Sequence, residues 1–185
     1  MPKPFLIIVT GMPGAGKSTF AKVLGEKIYM PLISRDQIKE GYVQTLGRGH
    51  DDLPRETNRI ISEIFFDTLY SLVESNVSVI GEAAFQHKVW APMLARFAGK
   101  ARICLVICKI DGSSALERIV ARGLGDEKRE YFHGDPQVGL AKKGAVLNPL
   151  PYDEPRLDVP TFYVNTLGEY EPSVYEITEN ILRLT

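Results

Sequence analysis

The sequence predicts an α/β fold in which a parallel β-sheet is covered by helices on both faces. Short apolar runs alternate with helical patterns along the chain, as is typical of parallel strands joined by helices. The run 101–109 is almost entirely apolar, which favours a strand buried on both faces. The chain has 185 residues, of which 44% are hydrophobic, so we expect a single domain, 1–185.

Five strands are predicted from short runs rich in apolar residues and bounded by glycine, proline or polar residues. They cover residues 5–10, 31–34, 77–82, 101–109 and 161–164. Ligands bind beyond the carboxyl ends of the strands in such sheets. The residues that follow the first three strands are therefore the first candidates for a functional site.

Six helices are predicted from apolar residues at helical spacing. They cover residues 17–28, a stretch beginning near 36, and residues 55–75, 88–97, 114–122 and 172–182. Asp36 can cap the second helix. Ser114-Ala-Leu-Glu117 has the pattern of a capping box at the start of the fifth.

Two segments lack a regular pattern. Residues 46–54 are polar and contain glycine, so they are expected to form a loop. Residues 123–156 are charged, contain Gly and Pro and show no clean period, so they are expected to form a lid and a long excursion.

Charge and cysteine content narrow the functional class. The formal net charge is −1, which gives no general argument for nucleic acid or membrane binding. No apolar run is long enough for a membrane span, and we expect a cytoplasmic protein. Cys104 and Cys108 lie four residues apart in a predicted strand, so both should face one side as buried thiols.

The most informative motif is Gly-Met-Pro-Gly-Ala-Gly-Lys-Ser at 11–18, a G-x-x-x-x-G-K-S phosphate-binding loop between a predicted strand and a predicted helix. Its glycines allow successive N–H groups to turn toward an anion, and the helix adds its free N–H groups. Lys17 can bridge the β- and γ-phosphates, and the Ser18 hydroxyl can hold Mg²⁺. The predicted nucleotide-binding residues are Gly11, Met12, Pro13, Gly14, Ala15, Gly16, Lys17, Ser18 and Thr19. The alternative is a glycine-rich turn with an incidental Lys-Ser.

Two carboxylates follow predicted strands. Asp36 is the candidate catalytic base, which would orient an acceptor hydroxyl and take its proton; the alternative is a helix cap. Glu82 ends the third strand and could hold Mg²⁺ through water; the alternative is a salt bridge to an arginine of the lid.

Three arginines lie on the predicted helix before the lid or within the lid. Arg122 is a candidate catalytic residue, because a cation closing over the γ-phosphate stabilises the charge that spreads over its oxygens. Arg118 could contact the adenine ring. Arg129 lies within the lid and is a candidate for binding the acceptor. The alternative for all three is a solvated arginine or a pair along a helix.

The other acceptor-binding candidates are Arg35, Lys39 and His87. Their positions just past the second and third strands would line an acceptor pocket. A lone histidine is more often structural or solvated, and the same doubt applies to His133 in the lid. His50, with its two aspartate neighbours, resembles a ligand cluster, although polar loops often do.

With these motifs in place, the chain resembles the small P-loop kinases of the predicted-kinase (AAA_33-like) group, which is similar to phage polynucleotide kinase, chloramphenicol phosphotransferase and zeta toxin. The resemblance covers most of the chain and rests on five stretches: G-M-P-G-A-G-K-S-T, Ser34-Arg35-Asp36, V-I-G-E-A-A-F, L-E-R-I-V-A-R-G and F-Y-V-N-T.

The resemblance implies a P-loop NTPase fold with a five-stranded parallel sheet of order 2-3-1-4-5. It also implies that Asp36 is the base and that Arg122, before Gly123, enters the lid. The chain departs from the group at Lys39, where arginine is common, and at Glu82, where aspartate is common. The lid segment is also longer than expected.

These observations predict an ATP- and Mg²⁺-dependent phosphotransferase acting on a hydroxyl of a small molecule or nucleotide-like acceptor. The near-neutral charge favours a small molecule over nucleic acid, because a long nucleic acid usually needs a basic track. Two alternatives remain open: a nucleotide-dependent switch or sensor without an acceptor, and a polynucleotide 5′-hydroxyl kinase.

Overall fold

A computed structural model describes residues 2–149 and 151–184 and contains one five-stranded parallel sheet in the order β2-β3-β1-β4-β5. The strands are β1 (Phe5–Thr10), β2 (Leu32–Ser34), β3 (Val79–Glu82), β4 (Arg102–Lys109) and β5 (Thr161–Asn165). The predicted α/β class and the sheet order implied by the resemblance are both confirmed.

The helices are α1 (Lys17–Ile28), α2 (Arg35–Leu46), α3 (Thr57–Glu74), α4 (His87–Leu94), α5 (Gly112–Gly125), α6 (Glu127–His133), α7 (Pro136–Lys142) and α8 (Val174–Leu182). Short 3-10 turns lie at 50–52 and 95–97. None of the helices within the described residues combines the length and the apolar character that crossing a membrane requires.

The central strand β1 separates two apolar layers, because successive side chains of a strand point to opposite faces. Phe5, Ile7 and Val9 pack in the layer that includes residues of α1 and α8. Leu6 and Ile8 pack in the other layer, with residues of α3 and α4. The sheet is therefore covered on both faces, and its carboxyl edge is left to the loops.

The two cysteines lie in β4 and are both free and buried. Cys104 and Cys108 pack in the same apolar layer as Phe5 and Val9, so the prediction that they share one face is confirmed. Burial raises the pKa of each thiol to about 12.

The caps of α2 and α5 differ from the predictions. The N-cap of α2 is Ser34, and Asp36 lies inside the first turn, so the expectation of a helix cap at Asp36 was wrong. The N-cap of α5 is Asp111, whose Oδ1 accepts a hydrogen bond from the backbone N–H of Ser114 at 2.8 Å. The predicted capping box at Ser114 was therefore also wrong, and α5 runs three residues past Arg122 to Gly125.

The lid segment contains the short helices α6 and α7, which the sequence did not predict. After α7 the chain follows an irregular path, and we call its residues 151–160 the strap. The strap crosses the carboxyl edge of the sheet, where the backbone N–H of His87 donates to the carbonyl of Asp153 at 3.1 Å and Lys109 forms an ion pair with Glu154. Its end leads into β5, where Leu105 donates to the Pro160 carbonyl at 2.9 Å.

Candidate active site

The phosphate-binding loop lies between β1 and α1, at the carboxyl end of the central strand. Gly11 and Gly14 have φ values of 144° and 82°, which favour glycine. A Cβ at Gly11 would lie 2.4 Å from the Cys108 carbonyl oxygen, and one at Gly14 would lie 2.3 Å from the Ala115 carbonyl oxygen. The loop is thus packed against β4 and α5 by backbone contacts that only glycine permits.

The start of α1 offers unpaired N–H groups to an anion. Its N-cap is Gly16, which supplies no side-chain hydrogen bond to the first turn. The free N–H groups and the positive end of the helix dipole together favour a phosphate at this position. Ser18 and Thr19 are exposed in the same first turn.

Lys17 is buried, and its Nζ donates to the Met12 carbonyl at 3.0 Å. Burial lowers the pKa of Lys17, and the charges of Glu82 and Asp36 oppose this effect. The lysine therefore lies near two carboxylates, one at the end of β3 and one in the first turn of α2.

Glu82 ends β3 and is only 2% exposed. Its Oε2 accepts a hydrogen bond from Ser34 Oγ at 2.8 Å, because Ser34 is paired with Glu82 in the parallel ladder of β2 and β3. Burial raises the pKa of Glu82, and Lys17 and the hydroxyls of Ser34 and Ser18 oppose this effect. Glu82 therefore lies beside Ser18, the other predicted Mg²⁺ residue.

Asp36 lies in the first turn of α2, where its side chain is 51% exposed. Its Oδ1 lies 3.4 Å from NH1 of Arg35, whose NH2 donates to Asn58 Oδ1 at 2.8 Å. The charge of Asp36 acts on Lys17 and on Arg122. The carboxylate thus lies within electrostatic range of Lys17 and Arg122 and remains exposed.

The arginines of α5 lie beside the phosphate-binding loop. Arg118 NH2 donates to the carbonyls of Thr166 and Leu167, at 2.8 and 3.2 Å. Burial and the charge of Arg129 lower the pKa of Arg122, and Asp36, Asp135 and Glu82 oppose this effect. A cavity of about 340 Å³ lies beside them, lined by Gly14, Gly16, Thr19, Arg118, Arg122, Thr166, Gly168 and Tyr170.

Lys39 follows Asp36 by one helical turn, is 4% exposed and contacts the lid. Its Nζ lies 2.7 Å from His50 Nδ1 and 3.5 Å from the His133 carbonyl. His133 Nε2 in turn lies 2.8 Å from Glu40 Oε1. We call Lys39, Glu40, His50 and His133 the lid cluster, since it joins α2 and the 50–52 turn to α6.

Relatives of this chain are found among known protein families and solved structures. The sequence profile of the AAA domain family AAA_33 matches residues 6–135. The chain belongs to this family. No match to the sequence was found among curated proteins.

Three solved structures are similar to the AAA_33 chain over nearly its whole length. A candidate kinase from Chloroflexus aurantiacus J-10-fl is 24% identical, with a TM-score of 0.78 and 99% of each chain covered. A gluconokinase from Sinorhizobium meliloti 1021 is 19% identical, with a TM-score of 0.60 and coverages of 100% and 95%. The Mycobacterium tuberculosis APS kinase, solved with AMPPNP and APS, is 16% identical, with a TM-score of 0.61 and coverages of 100% and 98%. These likenesses show that the AAA_33 chain has the P-loop kinase fold.

Five of the predicted site residues of this AAA_33 chain lie close enough to interact: Lys17, Ser18, Asp36, Glu82 and Arg122. Arg35, Lys39 and Arg129 lie around them. His87 is engaged elsewhere, because its Nδ1 accepts from the backbone N–H of Arg156 in the strap at 3.2 Å.

No sequence pattern pointed to Tyr152 as a neighbour of the site. Its hydroxyl lies 3.2 Å from Thr10 Oγ1 and donates toward the Phe85 carbonyl, also at 3.2 Å. Tyr152 sits in an aperiodic segment 142 residues from Thr10, so no local pattern connects the two. Only the fold brings this tyrosine to the end of β1, directly before the phosphate-binding loop.

Proposed function

We propose that this AAA_33 protein is an ATP- and Mg²⁺-dependent phosphotransferase that moves the γ-phosphate to a hydroxyl of a small molecule. The position of Asp36 carries the proposal. Its carboxylate is 51% exposed and does not cap α2, yet its charge acts on both Lys17 and Arg122. A kinase needs such a carboxylate to take the proton of an acceptor hydroxyl.

The triphosphate of ATP binds residues 11–19. Lys17 contacts the β- and γ-phosphates, and the free N–H groups at the start of α1 bind phosphate oxygens. The cavity of about 340 Å³ beside the loop extends to Arg118 and Tyr170 and takes the nucleoside. Arg118 lies against the adenine ring there.

The residues present fit Mg²⁺. Ser18 is exposed at the start of α1, and the buried Glu82 carboxylate lies behind it. No group of three or more His, Cys, Asp or Glu among the described residues could hold a metal by itself. This suits Mg²⁺, which usually keeps several waters and takes one or two protein ligands with substrate phosphates. When bound, it would neutralise charge on the β- and γ-phosphate oxygens.

Asp36 orients the acceptor hydroxyl and accepts its proton as the acceptor oxygen bonds to the γ-phosphorus. The bond from this phosphorus to its bridging oxygen breaks, and ADP leaves with that oxygen. Negative charge spreads over the γ-phosphate oxygens during transfer. Lys17 and Arg122, with help from Arg118 or Arg129, offset this charge.

The acceptor binds between α2 and the lid. Arg35 supports this side of the site, because its Nε is buried without a hydrogen-bond partner among the described residues, whereas most buried polar groups are paired. Lys39 and Arg129 complete the pocket, whereas His87 is bound to the strap and is left out of it. The net charge of −1 favours a small molecule, and a polynucleotide 5′-hydroxyl is the alternative.

The proposal is tested by ATP consumption against a panel of acceptors: nucleosides, sugars, aminoglycosides and phenicols, sugar nucleotides and 5′-hydroxyl oligonucleotides. We expect turnover with one class, and a fall of about 10²- to 10⁴-fold in Asp36→Asn, because this change removes the base and keeps the shape. ATP affinity should remain within a few fold. Asp52→Asn, an equally conservative change at an exposed residue of the 50–52 turn, should keep full turnover.

A different outcome would favour the switch. If ATP binds, no acceptor stimulates its consumption, and Asp36→Asn behaves like the parent, the phosphotransferase proposal fails. A nucleotide-dependent switch or sensor would then be the better explanation.

A further inference from the structure

The hydroxyl of Tyr152 lies beside the side-chain oxygen of Thr10, which makes two other hydrogen bonds at the end of β1. Thr10 Oγ1 is buried, donates to the Ala83 carbonyl at 2.8 Å and accepts from Trp90 Nε1 at 3.2 Å. A hydroxyl can accept one further bond, and Tyr152 OH lies 3.2 Å away to supply it. The Phe85 carbonyl, also 3.2 Å from the phenol, shares the same proton.

The residue that Tyr152 contacts directly precedes the loop, because Thr10 ends β1 and Gly11 begins the loop. Burial raises the pKa of Tyr152, and the hydrogen bond with Thr10 opposes this effect. Gly11 is confined by β4, where a Cβ would lie 2.4 Å from the Cys108 carbonyl oxygen. At the point where the loop leaves β1, Thr10 is therefore in hydrogen-bond contact with Tyr152, and Gly11 packs closely against β4.

We infer that Tyr152 is a positioning residue for the phosphate-binding loop, and that its hydroxyl fixes where the loop begins and hence where the phosphates bind. Its hydroxyl bonds to no phosphate-binding side chain among the described residues and acts through Thr10. The inference rests on the proposed function only in taking a nucleoside triphosphate as the ligand.

A purely structural role, as an anchor for the strap, is the competing explanation. Other contacts already hold the strap: Asp153 and Arg156 bond to His87, Glu154 pairs with Lys109, and the Pro160 carbonyl accepts from Leu105. Leu157 and Val159 also pack against the apolar layer of α3 and α4. Losing one partly buried hydroxyl should therefore leave the strap in place.

The test is Tyr152→Phe in the full chain, with binding of Mg²⁺-AMPPNP and of adenosine measured by calorimetry and thermal stability measured in parallel. We expect the Kd for AMPPNP to rise about fivefold, as for the loss of one hydrogen bond. The Kd for adenosine, which has no phosphates, should stay within twofold, and the Tm should fall by less than about 3 °C. Tyr163→Phe, the same change at an exposed residue of β5, should alter none of these values.

Thr10→Val removes the hydroxyl that links Tyr152 to the loop, and it provides a second test of the inference. If Tyr152 acts through Thr10, the double variant should weaken AMPPNP binding no more than the more affected single variant does. An unchanged Kd for AMPPNP in Tyr152→Phe overturns the inference, and so does a parallel loss of AMPPNP and adenosine binding. If the parent protein does not bind AMPPNP, the proposed function and the inference both fail. If the parent binds AMPPNP and Tyr152→Phe leaves the Kd unchanged, only the inference fails.

Discussion

Lys39 is a buried cation whose hydrogen-bond partners are neutral groups. Its Nζ lies 2.7 Å from His50 Nδ1, so that nitrogen must accept and the imidazole is uncharged. Burial, followed by the charge of Lys39, lowers the pKa of His50. Burial and the charge of Arg35 lower the pKa of Lys39 to about 8, against an opposing effect of Asp36.

Lys39→Met should change how stability depends on pH. The pKa of Lys39 is about 8 in the folded state, against an ordinary value of 10.5. Between these two pH values the unfolded chain therefore binds more protons than the folded protein does. The parent should therefore gain roughly 1 to 3 kcal/mol of unfolding free energy relative to the variant as pH rises through this window. Urea unfolding at intervals from pH 7 to 10.5 would measure it.

The control for this prediction is Lys22→Met, which removes an exposed ammonium from α1. Its unfolding free energy should run parallel to that of the parent at every pH. Parallel curves for Lys39→Met as well would show that Lys39 titrates normally in the folded protein.

At the scale of elements, α6 closes the lid against α2 and the 50–52 turn. Gly134 ends α6 with a φ of 59°, and a Cβ there would lie 2.1 Å from Cδ2 of His50. Gly49 is similarly close to Tyr131, where a Cβ would lie 3.0 Å from the ring. The end of the lid helix thus packs against the turn with no room for a larger residue.

Gly134→Ala should open this end of the lid. The new methyl group clashes with His50 and strains a left-handed backbone, at a cost of about 1 to 3 kcal/mol. We expect faster hydrogen exchange of the amides in 127–134, while the strands of the sheet keep their protection. Exchange followed by mass spectrometry would report both regions.

Gly139→Ala is the matched control, because it lies within α7 and a Cβ there meets nothing within 4 Å. This variant should be neutral or slightly more stable, since alanine favours a helix over glycine. Unchanged exchange of 127–134 in Gly134→Ala would mean that the lid does not depend on this contact.

At the scale of the whole molecule, the centre of the sheet was predictable because β1, β3 and most of β4 are buried and therefore apolar. The run around Cys104 and Cys108 indicates β4 without reference to any other part of the chain. The phosphate-binding loop was equally clear, since its glycines and Lys17 act within eight consecutive residues. The positions of Asp36 and Glu82 at the site follow from the parallel arrangement.

The rest depends on contacts between residues far apart in the sequence. Helices α6 and α7 have seven residues each, too few for an apolar period to emerge. Asp and Ser are both favourable N-cap residues, so residue type does not distinguish Asp111 from Ser114. The backbone conformation places the N-cap of α5 at Asp111. The meeting of Lys39 with His50 and of Tyr152 with Thr10 is set by how the lid and strap return to the sheet.

Because both cysteines are buried in β4, their reaction with a thiol reagent reports when the sheet opens. Alkylating reagents attack the thiolate, and burial raises the pKa of Cys104 and Cys108 to about 12. The chain contains two cysteines in all, so every alkylation event requires β4 to separate from its neighbours. At neutral pH we expect iodoacetamide to modify the native protein at least about 100-fold more slowly than the urea-unfolded chain. Fast modification of either thiol in the native protein would contradict this expectation. If modification is slow, the rate at which the protein gains the mass of the reagent measures how often the sheet opens, without any engineered probe.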